Sequence, residues 1–306
     1  MITVLLATYN GEKYLPEQLD SLFSQTMQDF DLVIQDDGST DSTLQCLESY
    51  RLRFPKRIKI HRNNIKLGAA YNFLDLMYKN RSRYLMLCDQ DDVWLPQKIE
   101  KTFEEMKKME SIHGADTPIL VHSDLKVTSQ DLRIISDSYF RMAGVGTINS
   151  IKQMVLQCNV AGCTAMYNGA LAEMFRELPK NCVMHDFWLM QIAFCFGRTS
   201  CLLESQILYR QHQKNALGAK NVRGLGHKWY KLTHSDEIRQ ALFASYRQAG
   251  ELLRIYGHLL PPEDRQVLTA YAALPHMEKW DRLKVMKNEG LYRKGFLRTL
   301  SQIVFG

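Results

Sequence analysis

The stretch YLMLCDQDDVW, residues 84–94, joins an apolar run to an acidic loop. A short apolar run bounded by polar residues indicates a buried strand. The loop carries Asp89, Asp91 and Asp92, whose carboxylates repel one another unless a cation or tight hydrogen bonds hold them. Mg²⁺ and Mn²⁺ prefer such oxygen ligands and often bind substrate phosphates at the same time. The alternative is a solvated acidic turn that caps a helix beginning near Pro96.

An apolar run that ends in a polar loop occurs twice more upstream. Residues 2–7 form an apolar run that ends in TYNG (8–11), and the strand-like residues 31–35 end in DDGSTD (36–41). Each loop leads into a segment with apolar residues at helical spacing. Alternating strands and helices predict βαβ units and a mostly parallel sheet, which places ligands at the carboxyl ends of its strands. We therefore predict an α/β fold with its site at these loops.

The composition suits one large α/β domain with an appendage, at 306 residues, 45% hydrophobic content and a formal net charge of +6. Basic residues form no patch interleaved with aromatic residues, so we expect no nucleic-acid binding. The seven cysteines form no CxxC pair, which indicates reduced thiols in a reducing compartment. We find no signal peptide and no apolar stretch that could span a bilayer, so we expect a cytoplasmic protein.

Four segments occur in order along the chain: ATYNG (7–11), DDGSTD (36–41), GAAYN (68–72) and DQDDVW (89–94). Together they resemble the nucleotide-binding half of family 2 glycosyltransferases with the GT-A fold, which is Rossmann-like. The form DQDDVW is most similar to that of bacterial rhamnosyltransferases of cell-surface polysaccharide synthesis. The resemblance covers residues 1–217 and implies a catalytic domain with a nucleotide-binding half (1–110) and an acceptor half (111–217). Residues 218–306 would form a helical C-terminal region.

The resemblance implies a nucleoside diphosphate sugar as donor and Mn²⁺ or Mg²⁺ as cofactor. Asp91 would bind the metal with Asp89 or His212, although Asp89 could instead contact the ribose and a lone histidine is more often packed or solvated. Asp36 or Asp37 would accept a hydrogen bond from the imide N–H of the donor's nucleobase. Other positions expected at the donor are Thr8, Tyr9, Asn10, Gly68, Asn72 and Gln90, with Arg210 or Lys214 balancing the charge of the leaving diphosphate.

Asp186 is the expected general base. It lies at the start of a very apolar stretch that runs to Phe196, and partial desolvation beside aromatic residues raises the pKa of a carboxyl toward useful values. From the residues alone, a helix-capping role is the alternative. In the family, an Asp or Glu at this place deprotonates the acceptor hydroxyl, and Asp186 is the matching position. His185 would either adjust the pKa of Asp186 by hydrogen bonding or simply pack in the protein interior.

A glycine-containing turn upstream is expected to border the donor sugar. Gly162 permits close approach of the backbone to a ligand. In the family this segment lines the sugar pocket, so Gly162, Cys163 and Thr164 are candidate lining residues, and an ordinary turn with a buried thiol is the alternative. Trp94 and Trp188 could form an apolar wall for a sugar ring, although aromatic residues are more often part of the core.

The C-terminal region carries apolar residues at helical spacing, which are Ile238, Leu242, Tyr246, Ala249, Leu253 and Tyr256. Its last segment, residues 280–306, has six Lys or Arg against two acidic residues. A basic amphipathic tail suits the surface of an anionic membrane, where a lipid-linked acceptor would lie, so a peripheral position on the inner face is one hypothesis. The alternatives are packing on the catalytic domain or a homodimer interface.

The reaction implied by the resemblance is an inverting, metal-dependent transfer to a lipid-linked or polysaccharide acceptor. Rhamnose from dTDP-rhamnose is the favoured donor sugar, by resemblance only. UDP-glucose, UDP-galactose or another nucleotide hexose is the alternative, and a non-catalytic nucleotide-sugar binding protein is a second class. The chain lacks a Gln-x-x-Arg-Trp motif, which argues against a processive cellulose- or chitin-like synthase.

Overall fold

The computed structural model of the chain describes residues 1–146, 148–213 and 235–292, together with 299, 302 and 303. Strands and helices alternate through the first half of the chain, as predicted. The strands of the described residues are β1 (Ile2–Thr8), β2 (Phe30–Asp36), β3 (Ile58–Arg62), β4 (Tyr84–Cys88), β5 (Val93–Trp94), β6 (Ile119–Ser123), β7 (Lys126–Thr128), β8 (Ile134–Ser136), β9 (Met166–Asn168), β10 (Arg198–Leu202) and β11 (Ile207–Arg210). The helices are α1 (Leu15–Phe23), α2 (Thr43–Arg53), α3 (Ala69–Lys79), α4 (Lys98–His113), α5 (Tyr139–Ala143), α6 (Ile151–Met154), α7 (Gly169–Ala172), α8 (His185–Phe196), α9 (Ser235–Tyr256), α10 (Pro262–Ala273) and α11 (Lys279–Glu289).

Seven strands form the central sheet in the order β10-β6-β9-β4-β1-β2-β3. The strand β9 runs antiparallel to its neighbours β4 and β6, and the other pairs are parallel. A smaller sheet of four strands has the order β5-β11-β7-β8. The prediction of an α/β fold with a mostly parallel sheet is confirmed.

Successive side chains of a strand point to opposite sides of the sheet. Helices cover both faces of the central sheet, so the side chains on both faces are buried. In β1, Val4 and Leu6 enter one hydrophobic core, which α1, α2 and α4 cover. Leu5 enters the other core, which α3, α8 and the C-terminal helices cover. Each fully buried aliphatic side chain of this kind contributes roughly 1.5–3 kcal/mol to the free energy of unfolding. The layers are therefore helix, sheet and helix.

The C-terminal helices α9 to α11 pack on the catalytic part of the chain. Tyr256 of α9 lies against Trp188 of α8, with ring centroids 6.1 Å apart, and Leu242, Tyr246 and Met286 join the same core. In the last segment, residues 280–306, Met286 and Leu291 belong to this core. The basic residues beyond Tyr292 lie outside the described residues. Within the described part of the chain, we find no helix with the length and hydropathy that crossing a membrane requires.

The ends of three strands bring the motif loops together. Thr8 at the end of β1 is aligned with Asp36 at the end of β2, and Leu6 is aligned with Cys88 at the end of β4. The loops that follow these strands consequently open at one edge of the sheet. The fold therefore places the predicted site residues of these three loops at this edge.

Candidate active site

A cavity of about 420 Å³ lies at the carboxyl edge of the central sheet. Its walls come from the loops after β1, β2, β3 and β4, from the turn before β9 and from the start of α8. Twelve of the expected site residues line it, namely Thr8, Tyr9, Asp37, Gly68, Asn72, Asp89, Gln90, Asp91, Gly162, Cys163, His185 and Asp186. The structure therefore brings the two halves of the predicted site into one cavity.

Asp37 holds the loop at one end of the cavity. One carboxylate oxygen accepts hydrogen bonds from Asn63 Nδ2 at 2.8 Å and from Leu67 N at 2.7 Å, and the other accepts from Gly68 N at 2.7 Å. Gly68 has a φ of 79°, a left-handed conformation that glycine adopts without strain. Asn63 also donates to Asn72 Oδ1 at 2.8 Å. These bonds fix the wall that carries Gly68 and Asn72.

Asp36 has a different place from Asp37. Its buried carboxylate accepts hydrogen bonds from Thr8 Oγ1 at 3.0 Å, from Gly38 N at 3.1 Å and from Ser39 N at 2.8 Å and Ser39 Oγ at 2.5 Å. It does not line the cavity. Of the two acids expected to accept a hydrogen bond from the nucleobase, Asp37 is the one in the cavity. Asp36 instead uses its carboxylate to join the loops after β1 and β2.

Gln90 clamps the loop after β1. Its Oε1 accepts from Tyr9 N at 2.9 Å, and its Nε2 donates to Tyr9 O at 3.0 Å. A Cβ at Gly11 would lie 2.2 Å from Gln90 Oε1, so this contact needs a glycine there. Asn10 turns away from the first cavity and lines a neighbouring cavity of about 1040 Å³, which shares Tyr9 and Gln90 with it.

Lys66 is a lining residue that the sequence analysis did not identify. Its Nζ lies 3.6 Å from the centroid of the Tyr9 ring, a cation–π contact at the mouth of the cavity. Four carboxylates line the cavity, and Lys66 is the one cationic side chain among the described lining residues. Lys66 lies two residues before Gly68, in a polar loop, and this position next to an expected donor-binding residue indicates a place at the site.

The acidic loop after β4 concentrates negative charge at low exposure. Burial raises the pKa of Asp89 to about 8, and the neighbouring Asp91 and Asp186 add to this effect. Asp92 is completely buried, so the alternative of a solvated turn is wrong for it. Its Oδ1 accepts from Arg210 N at 3.1 Å, whereas its Oδ2 has no hydrogen-bond partner among the described residues. Oxygen ligands crowded in this way fit a divalent cation such as Mg²⁺ or Mn²⁺.

His212 lies beside the acidic loop. Its Nε2 is 2.8 Å from Asp91 Oδ2, and its ring stacks on Tyr14 with centroids 4.8 Å apart. The imidazole lines the neighbouring cavity, whereas Asp91 lines the first. The chain thus brings His212 next to the predicted metal ligand across more than one hundred positions.

Arg210 does not line either cavity. Its buried guanidinium donates to the Glu17 carboxylate, to Gln130 O and, at 2.8 Å, to Asp91 O. The expectation of a contact between Arg210 and the leaving diphosphate is corrected, because this side chain instead anchors the acidic loop from behind. Its partner in that expectation, Lys214, lies outside the described residues.

Asp186 lies in the first turn of α8 with its carboxylate in the cavity. Its Oδ1 accepts from Phe187 N at 2.7 Å, and its Oδ2 accepts from Gly162 N at 3.2 Å. Burial raises the pKa of Asp186 to about 6 although these two hydrogen bonds oppose the rise. A carboxylate held at this pKa can accept a proton near neutral pH.

His185 packs rather than tuning Asp186. Its ring stacks on Phe73 with centroids 4.0 Å apart, and neither ring nitrogen has a hydrogen-bond partner among the described residues. Burial lowers the pKa of His185 to about 3, so the ring is neutral. A Cβ at Gly162 would lie 2.4 Å from His185 Nε2, which explains the glycine at this position. Of the two alternatives for His185, packing is the one observed.

Three of the expected pocket residues lie in the core. Trp94 is 2% exposed under the lysine of α4, and Trp188 is fully buried against Tyr256. Thr164 is fully buried and donates to Ala161 O at 2.7 Å. None of the three lines the cavity, so the proposed tryptophan wall is wrong. Large apolar rings beside the sheet pack in the core, where they are removed from water, and do not line the half-open cavity.

The chain has recognisable relatives. Residues 3–175 match the family model described as Glycosyl transferase family 2. The dTDP-rhamnosyl transferase RfbG of Shigella flexneri is 28% identical over 246 residues, which are 74% of this chain and 81% of the relative. An uncharacterized protein of Mycobacterium tuberculosis is 24% identical over 218 residues, 69% of this chain, and the match spans 59% of that relative's length.

Solved structures of low sequence identity share the fold. The 1–349 fragment of S. aureus TarS aligns with a TM-score of 0.53 at 16% identity, over 96% of this chain and 93% of that chain. The mannosyltransferase PcManGT from Pyrobaculum calidifontis, in complex with GDP-Man and Mn²⁺, aligns with a TM-score of 0.54 at 17% identity, over 94% and 73%. Such likenesses establish the fold alone, and both neighbours have the GT-A fold, as predicted for this chain.

Proposed function

We propose, because the chain belongs to glycosyl transferase family 2, that it transfers one sugar from a nucleoside diphosphate to an acceptor hydroxyl with inversion at the anomeric carbon. The observation that carries the proposal is the shared cavity, in which the Asp186 carboxylate faces the same space as Asp89 and Asp91. A poised base and an acidic cation site in one cavity match what such a transfer requires.

The donor would lie along the cavity. The nucleoside would occupy the end formed by Asp37, Gly68 and Asn72, and the sugar would lie toward Gly162 and Cys163. The supporting observation is the fixed geometry of that end, because three hydrogen bonds to Asp37 hold its loop. Because this wall is already ordered, ligand binding does not incur the entropy cost of ordering it.

Asp89 and Asp91 would bind Mn²⁺ or Mg²⁺, with His212 as a further ligand. The supporting observations are the burial of Asp89 beside Asp91 and Asp186, which raises the pKa of Asp89, and the contact between His212 and Asp91. When bound, such a cation neutralises charge on a departing diphosphate. Carboxylates are the ligands that both ions prefer.

Asp186 would act as the general base. The acceptor oxygen forms a bond to the anomeric carbon while the bond from that carbon to the diphosphate oxygen breaks, and the electron pair leaves with the nucleoside diphosphate. The acceptor proton passes to the Asp186 carboxylate. The hydrogen bonds from Gly162 N and Phe187 N keep that carboxylate aimed into the cavity. One displacement inverts the anomeric centre.

The donor in this proposal is dTDP-rhamnose, and its support is the relative from Shigella flexneri. Another nucleotide hexose, such as UDP-glucose or UDP-galactose, is the alternative. The test measures release of nucleoside diphosphate from a panel of donors with Mn²⁺ and with chelator. We expect cation-dependent release that is fastest with dTDP-rhamnose. If no donor is hydrolysed or transferred above background, the proposal is wrong, whereas turnover of any donor excludes a protein that only binds nucleotide sugars.

The acceptor in this proposal is a lipid-linked or polysaccharide glycan at an anionic membrane surface. The support is the basic sequence of the last segment, residues 280–306. The check is flotation with phosphatidylglycerol vesicles, comparing the full chain with a chain ending at residue 292. Equal flotation of the two chains would remove the tail from this proposal.

A further inference from the structure

The turn that donates to Asp186 contains a glycine that its backbone conformation does not require. Gly162 begins a short 3₁₀ helix, Gly162–Thr164, and its φ is not positive, so the left-handed conformation that favours glycine is not the reason for it. A Cβ at Gly162 would first meet three atoms of one imidazole, His185 Nε2 at 2.4 Å, Cε1 at 3.3 Å and Cδ2 at 3.4 Å. The missing side chain therefore makes room for the His185 ring.

The His185 ring is held from behind by α3. It stacks on Phe73 with centroids 4.0 Å apart and 24° between the ring planes, and both residues are more than nine-tenths buried. The residue that precedes α3 is anchored in turn, because Gly68 N donates to Asp37 at 2.7 Å. Close-packed side chains of this kind have little room to move. The imidazole thus transmits the fixed position of α3 to the turn at Gly162.

The other side of the turn faces the candidate base. Gly162 N donates to Asp186 Oδ2 at 3.2 Å, and this hydrogen bond opposes the rise that burial causes in the pKa of Asp186. The far end of the turn is held by β4, since Leu87 N donates to Ala165 O at 3.2 Å. The Gly162 N–H is therefore placed by β4 on one side and by the imidazole on the other.

We propose that His185 is a positioning residue, whose ring supports the turn and so keeps Gly162 N directed at the Asp186 carboxylate. This inference rests on the proposed function, in which Asp186 is the base. The support is one of shape, because neither ring nitrogen of His185 has a hydrogen-bond partner among the described residues, Asp186 included. A phenyl ring reaches further from the main chain than an imidazole does and would press into Gly162, and such overpacking is destabilising.

Other titratable groups also interact with the charge of Asp186. They are the Asp89 carboxyl in the same cavity, the thiol of Cys158 before the turn and the thiol of Cys182 before α8. Burial raises the pKa of both thiols above their usual value, so both stay neutral below pH 8. All three groups are kept in every variant below, so a difference between variants comes from the substituted position.

The test follows the Gly162 amide by NMR in a chain labelled with ¹⁵N-glycine, from pH 4 to pH 8, with neither donor nor cation added. The missing signal in Gly162→Ala identifies the resonance. An amide that donates to a carboxylate reports its protonation, so the wild-type signal should move with a midpoint near pH 6. In His185→Ala we expect the size of this movement to fall at least twofold. The midpoint should rise to about 7, because a hydrogen bond to the charged form is weakened, and kcat should fall about tenfold.

The matched control is His122→Ala, which removes another buried histidine, whose ring meets Phe140 edge-on with centroids 6.0 Å apart. It should lower the melting temperature and leave the Gly162 midpoint where it is. The same change of midpoint in both variants would overturn the proposal. An unchanged Gly162 response in His185→Ala would also overturn it, because the ring would then only fill space.

A second arm of the test combines Gly162→Ala with His185→Ala. The methyl group added at 162 clashes with the ring in the single variant and occupies part of its space in the double variant. The double variant should therefore keep a higher kcat and a higher melting temperature than the two single effects together predict, whereas additive effects would contradict the contact.

If His185→Ala does not fold, Phe73→Leu replaces it in the NMR test, because it removes the ring that holds the imidazole, and the same direction of change is expected. An amide that responds as expected in a wild-type chain without transferase activity would confirm the support of the turn and count against Asp186 as a base. The NMR result and the activity therefore judge the inference and the proposed function separately.

Discussion

Asp186 gains its reactivity from where the backbone holds it. Two main-chain N–H groups, of Gly162 and Phe187, hold the carboxylate in the cavity wall, and burial raises its pKa to about 6. Desolvation is the first cause of that shift, and the hydrogen bonds moderate it. The result is a group that is ionised at neutral pH yet more basic than a solvated aspartate.

We predict that Asp186→Asn retains donor binding and loses transfer. The amide cannot accept the acceptor proton, so kcat should fall by roughly 10²–10⁴. Donor affinity is measured by calorimetry and kcat by product formation. The control is Asp281→Asn, because that carboxyl lies largely exposed on α11. Wild-type turnover in the Asp186 variant would remove this residue from the role of base.

The pH dependence follows from the same group. Below its pKa of about 6, Asp186 is protonated and cannot accept a proton, whereas above that pH it is ionised and competent. We predict that kcat/KM rises with pH and levels off above an apparent pKa near 6. Rates measured from pH 5 to pH 8 at saturating Mn²⁺ test this. A profile that is flat or falling across pH 6 would contradict it.

Lys66 offers a separate test of the cavity mouth. Its ammonium lies over the Tyr9 ring, facing a cavity with four acidic side chains, and an anionic donor would meet it on entry. We predict that Lys66→Met raises the KM for the donor roughly tenfold, equivalent to about 1.4 kcal/mol, and changes kcat less. The control is Lys59→Met on the exposed side of β3. A change in kcat without a change in KM would contradict this assignment.

At the scale of helices, α9 supports the start of α8. Gln248 of α9 is fully buried, accepts from Val183 N at 2.6 Å and donates to Gln191 Oε1 at 2.8 Å. Glu251, one turn further, accepts from Lys180 N at 3.0 Å. The segment just before Asp186 is therefore held by a helix of the C-terminal region.

We predict that Gln248→Leu lowers kcat more than it alters donor KM, because it leaves Val183 N unsatisfied beside the catalytic turn. A buried donor without a partner costs about 1–3 kcal/mol, so the melting temperature should also fall. Steady-state kinetics and a thermal melt measure both effects. The control is Gln266→Leu on α10, where the amide is exposed. An unchanged kcat would mean that α9 does not position the base.

The elements that sequence could predict are those with a local pattern. The strands β1, β2 and β4 and their loops were identified because each apolar run ends in a distinctive polar segment. The place of Arg210 was not, because its guanidinium partner Glu17 is 193 positions away along the chain. The tryptophans were misplaced for a related reason, since a pattern shows that a ring is apolar but not which of two apolar surroundings it enters.

At the scale of the whole molecule, the C-terminal helices complete a core that begins in the catalytic part. Trp188 of α8, Tyr246 of α9, Leu268 of α10 and Met286 of α11 belong to one cluster of buried side chains. The boundary expected near residue 217 therefore does not separate two independent cores among the described residues.

We predict that a chain ending at Gln213 does not unfold cooperatively, because it exposes the face of α8 that α9 covers with Tyr256 against Trp188. Circular dichroism during heating measures the transition. The control is a chain ending at residue 292, which keeps this core although it loses the hydrogen bond from Gln302 to Leu291 O. A sharp melt of the shorter chain, at a temperature similar to that of the control, would show that the catalytic part is stable alone.

The shared core also sets an order of events during protein synthesis. Tyr256 of α9 packs against Trp188 but is translated 68 residues later, which corresponds to roughly 3–14 s at ordinary elongation rates. During that interval the apolar face of α8 has no native cover. The nascent chain therefore exposes the underside of its catalytic helix to chaperones until α9 has been synthesised.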